Sequence, residues 1–148
     1  MNLAKALKQK NRLIQTINEL QSEVQRSNSY REDGVRKIDT HKSMEDLAAA
    51  TEKLIKLKIA IFIASTPMRE NILRLGELKS RIQFLKGINT QEGYVDNYEG
   101  KTLYSVEYDI NYIKNEVKTC ESLIDELQEE LDKFNHMTEI EIEIEVNS

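Results

Sequence analysis

At 148 residues the chain is the size of one ordinary domain, and its 39% hydrophobic and 32% charged residues, with one proline and no tryptophan, suit long amphipathic helices better than a mixed sheet. A formal net charge of −5 disfavours a surface built to neutralise the phosphates of duplex nucleic acid. Cys120 is the sole cysteine; with His41 and His136 it falls short of a four-ligand zinc cage and permits no intrachain disulfide, so no metal or cofactor is expected and a reducing cytoplasm fits.

The basic start MNLAKALKQKNR is followed by no apolar core of a signal peptide. The longest apolar run, Ile59 to Ala64, is far too short for a membrane-crossing helix. Neither route to or through a membrane is expected.

A first helix should start after Asn2 as N-cap, with Leu3, Leu7, Leu13, Ile14, Ile17, Leu20 and Val24 along one stripe, and fray near Ser27. Residues 27–42 mix Ser, Asn, Asp and Gly34 with Arg31, Arg36, Lys37, His41 and Lys42, and read as a mobile loop. Ser43 followed by Asp46 resembles a capping box opening a second helix through Leu47, Leu54, Ile55, Ile61 and Phe62. From Leu57 to Ala64 its apolar residues cover more than one face, the pattern of a helix buried by several neighbours, those of another subunit included. The alternation Ile55, Leu57, Ile59, Ile61, Ile63 also permits a buried strand, but the helical pattern upstream and the lack of a breaker favour helix.

Thr66 and Pro67 predict a stop and restart, because proline lacks the amide donor a helix interior needs yet suits a first turn. A third helix then carries Met68, Ile72, Leu75, Leu78, Ile82 and Leu85 to a C-terminal cap at Gly87, despite the cost of Gly76 inside it. Residues 88–101 read as a second loop bracketed by Gly93 and Gly100, and Lys101 to Tyr108 as a short strand, with Asp109 capping the last helix. That helix places Ile110, Ile113, Val117, Cys120, Ile124, Leu127, Leu131 and Phe134 at alternating spacings of three and four, a heptad seam for core or oligomer packing. The tail TEIEIEIEV alternates with period two and predicts a strand over 138–146, which could pair with residues 102–107 of its own or a neighbouring chain.

Catalytic signatures fail on residue supply. The five glycines are scattered, so no phosphate loop forms, and neither a nucleophile elbow nor HExxH occurs. Cys120 falls at a seam position, where a small buried hydrophobe is expected rather than a nucleophile. The glutamates at 129, 130 and 139–145 read as solvated faces. Tyr94, Tyr98, Tyr104, Tyr108 and Tyr112 could stack on a planar ligand, but packing is the simpler reading. The one candidate binding site is the basic loop, where Arg31, Arg36, Lys37 and Lys42 could gather around a phosphate or carboxylate if several subunits bring copies together.

The segments NLAKALKQKNRL, ASTPMRENILRLGELKSRIQFL and FNHMTEI, spread over nearly the whole chain, resemble small helical bacterial and phage proteins of unknown function with the layout of the septicolysin-like family. The resemblance implies a helical protomer that builds a closed oligomer, a hexamer among the candidates, and the cytolysin name of some relatives implies pore formation. The chain departs from that layout in its extended EIEIEV, and a glutamate face opposes insertion into lipid.

The expectation is therefore a mainly α, long-helix bundle or coiled coil, with a short strand before the last helix and a C-terminal strand, forming one helical oligomerisation domain over 1–148. Its expected task is non-enzymatic self-assembly in the cytoplasm, and its expected partner is itself. The alternatives are an oligomer that sequesters a small anionic ligand, such as a signalling nucleotide, at intersubunit pockets, and a septicolysin-like pore former.

Overall fold

The computed structural model describes residues 1–142 of a mainly α chain. Its elements are α1 (Leu3–Ser27), α2 (Thr40–Ala64), a 3-10 turn at Thr66–Met68, α3 (Arg69–Lys86), the strands β1 (Gly93–Asn97) and β2 (Gly100–Tyr104), and α4 (Ile110–Met137). They fall into two compact units: Met1–Pro67 with the residues from Lys133 onward, and Met68–Asp132.

In the first unit α1 and α2 form an antiparallel pair. Asn2 opens α1 as expected: its side-chain oxygen accepts from the Lys5 N–H at 2.9 Å, satisfying one of the donors a helix start leaves over. The start of α2 corrects the sequence reading. Asp39, not Ser43, is the cap, accepting from the Lys42 N–H at 3.1 Å, so the helix begins four residues earlier. Ser43 is buried inside the helix and donates from Oγ to Glu23 on α1 at 3.0 Å. At the other end Leu3, Ala6 and Leu57 are buried with Ile140, and Leu7, Leu13, Ala60, Ile61, Ala64 and Phe134 pack around them.

The described part of the C-terminal tail lies against the chain start rather than against residues 102–107. The Leu3 N–H donates to the Thr138 carbonyl at 2.8 Å, the Ile140 N–H donates to the Met1 carbonyl at 3.0 Å, and Asn2 and Glu139 form a single antiparallel bridge. Ile140 reaches the core because this bridge turns it inward, an apolar driving force that pairing with an exposed hairpin would not supply. The rest of the strand expected over 138–146 lies outside the described residues.

In the second unit α3 and the first half of α4 share a core of Leu85, Ile113, Val117 and Cys120, joined by Leu78, Ile82 and Ile88. Gly87 caps α3 as expected, its N–H donating to the Gln83 and Phe84 carbonyls. The segment 88–101 is not all loop: β1 pairs with β2 in an antiparallel hairpin that runs from Gly93 opposite Tyr104 to Asn97 opposite Gly100. Gly93 and Gly100 have φ of 93° and 115°, which a residue with a Cβ rarely adopts, so the two glycines frame the first strand. The strand expected over Lys101 to Tyr108 ends at Tyr104, and Asp109 caps α4 by accepting from the Tyr112 N–H at 2.8 Å.

Candidate functional site

The connection between α1 and α2 is a basic loop. Its ends are tied where Ser27 and Thr40 share a hydroxyl hydrogen bond at 2.8 Å. Arg36 reinforces the closure: its Nη2 donates to the Ser27 carbonyl at 3.2 Å and to Thr40 Oγ1 at 2.9 Å, and its guanidinium stands 3.8 Å from the centre of the Tyr30 ring. A turn follows at Gly34, whose N–H donates to the Arg31 carbonyl at 3.1 Å. Arg31 meets Asp33 through two parallel bonds of 3.1 and 3.0 Å, with both side chains more than 70% exposed, so the pair is well formed but solvent-screened.

A shallow, open cleft of about 420 Å³ lies on this loop. Arg31, Arg36 and Lys37 line it, as the sequence suggested, and Arg26 from the last turn of α1 joins them. Lys42 does not line it; it belongs to the first turn of α2, where its backbone N–H is held by Asp39. Arg26 was missed because a basic residue in a last helical turn is ordinary complementation of the helix dipole. Of the four cations around the cleft, Arg31 is already paired with Asp33 and Arg36 with the Ser27 carbonyl and Thr40, so an anion there would compete with these contacts.

The eight seam positions of α4 part company. Ile113, Val117 and Cys120 are buried in the second unit; Ile124, Leu127 and Leu131 are half-buried; and Phe134 packs into the core of the first unit. Ile110, at the helix start, is 47% exposed. A different apolar stripe stands open on α2. Ile55, Ile59, Phe62 and Ile63 are 45%, 55%, 61% and 66% exposed, and their spacing puts them on the face opposite Leu57, Ala60 and Ala64. The two-faced apolar pattern read from the sequence is thus real, with its inner face in the core and its outer face in solvent.

Of the five tyrosines, Tyr108 and Tyr112 stack with ring centres 4.6 Å apart, whereas Tyr94 and Tyr98 on the hairpin are exposed. Among the described residues no helix is long and apolar enough to cross a membrane, and no group of three His, Cys, Asp or Glu side chains could hold a metal ion. Comparison of the chain with family models, with curated proteins and with solved structures gave no match, so the septicolysin-like layout rests on the quoted segments alone.

Proposed function

We propose that this chain is a non-enzymatic, self-assembling helical protein whose copies meet through α2. The outer stripe of Ile55, Ile59 and Ile63 carries this reading. Large apolar side chains repeated along one exposed helix face are the signature of an association surface, since burying them is the main favourable term in assembly. A second copy supplies the matching face without any further partner, because a two-fold interface uses the same patch on both sides. Native mass spectrometry of the gently purified protein tests it: a defined oligomer that falls apart on Ile55→Asn/Ile59→Asn substitution supports the proposal, and a monomer at all concentrations sinks it.

The cleft of the basic loop favours a second reading, in which the oligomer sequesters a small anionic ligand. The same spectrum reports it as retained mass. Substituting Arg31, Arg36 and Lys37 together should release that mass while leaving the subunit number unchanged, and retention by the triple variant would remove the basic loop from consideration.

A further inference from the structure

The apolar stripe on the outer face of α2 is framed by lysines. At about 100° of turn per residue, Lys56 and Lys58 fall about 80° to either side of the direction opposite buried Leu57, Lys56 along the Ile63 edge of the stripe and Lys58 along the Phe62 edge. Both lysines are exposed, and among the described residues neither is held in an ion pair. From Lys53 to its end at Ala64 the helix carries three lysines and no acid, and the nearest carboxylate of α2, that of Glu52, comes before the stripe begins.

We infer that the contact between copies through α2 is gated by ionic strength: Lys56 and Lys58 hold two copies apart in dilute salt, and the apolar stripes close on each other once that charge is screened. The inference rests on α2 being the association surface. In a two-fold contact the edges of one stripe meet the edges of the other. With parallel helices Lys56 of one copy lies toward Lys58 of the other; with antiparallel helices each lysine lies toward its own counterpart. Either arrangement sets ammonium groups against ammonium groups. Their repulsion reaches about 30 Å in about 0.01 M salt and about 3 Å in about 1 M. Burial of the isoleucines and Phe62 is not screened in this way, so added salt removes the opposing interaction and leaves the favourable one.

The test is sedimentation velocity of the whole chain over a concentration series, in dilute and in concentrated sodium chloride. Association should be about tenfold tighter in the concentrated salt, the size expected of two exposed like-charge contacts. Lys56→Gln/Lys58→Gln should associate in dilute salt about as tightly as wild type does in concentrated salt. Lys56→Glu/Lys58→Glu should still need salt on its own, yet mixed with wild type in dilute salt it should form the mixed assembly in preference to either pure one. Because both lysines are exposed, circular dichroism should be the same in every variant. Equal association of wild type in both salts, a salt dependence kept by the Gln variant, or no preference for the mixed assembly would overturn the gating, while dissociation by Ile55→Asn/Ile59→Asn would still leave α2 as the interface. No association of wild type or the Gln variant in either salt would overturn the reading of α2 itself, and the gating with it.

Discussion

Replacing Ile59 by alanine separates association from folding. Ile59 is 55% exposed, so slightly more than half of its side chain remains to be buried by a neighbour. Complete burial of such a side chain contributes about 1.5–3 kcal/mol, which leaves on the order of 1 kcal/mol lost per copy once alanine keeps its own methyl. In a two-fold contact both copies lose it, giving about 2 kcal/mol, or roughly a thirtyfold weaker association. Sedimentation velocity over a concentration series reads this directly as a shifted monomer-to-oligomer transition. Leu57→Ala is the internal control: Leu57 is fully buried two residues away on the other face, and its truncation should cost about 2–5 kcal/mol of unfolding free energy. Ile59→Ala, measured where the protein is monomeric, should leave the urea midpoint in place. An unchanged association curve for Ile59→Ala, or an equal loss of folding stability in both variants, would refute the assignment of the two faces.

Asn2→Ala should lower stability by about 0.5–2 kcal/mol in urea titration, because the Lys5 N–H loses its acceptor and the Asn2 amide no longer reaches the His136 carbonyl at 3.3 Å. Asn2→Ser should recover most of the capping share; no difference between the two variants would count against the cap. The Cys120 thiol, 4% exposed, should resist a disulfide-exchange reagent in the native protein and react fully in urea, and rapid native labelling would show that the packing of α3 on α4 opens readily. Ile124→Asn/Leu127→Asn should lower the urea midpoint without dissociating the oligomer, whereas Ile55→Asn/Ile59→Asn should do the reverse; the opposite pattern, read by native mass spectrometry and urea titration, would move the interface to α4.

The helices were legible because their signals are local and repeat. Asn2 as cap, the Thr66–Pro67 break, the Gly87 cap and the Asp109 cap each depend on one or two residues whose chemistry serves nothing else so well. The start of α2 was misplaced because Asp39 and Ser43 are both competent caps, and the choice between them was made by Glu23, twenty residues away, which takes the Ser43 hydroxyl inside the pair. The hairpin hid for a similar reason. Tyr98 and Glu99 link its strands without the Asn-Gly or Asp-Gly turn that announces a tight hairpin, and β1 buries no residue fully, so no alternation marked it. In the basic loop, residue type identified three lining cations, but excluding Lys42 and including Arg26 needed the closure through Ser27, Arg36 and Thr40.

The most regular pattern in the sequence is not the best candidate for the interface. A heptad repeat fixes which residues share a helix face, but says nothing about what covers that face. In α4 the positions Ile113, Val117 and Cys120 are already covered by α3, and Phe134 is covered in the core around Leu3 and Leu57, so their apolar surface has been removed from water before any second copy arrives. Association can draw only on surface that folding leaves exposed. By that measure α2 has more to contribute: its inner face satisfies the core with Leu57 and small alanines, while Ile55, Ile59 and Ile63 remain about half open or more. A helix needs one apolar face to fold against its neighbour, and a second such face at 3.6-residue spacing gains stability only through another partner.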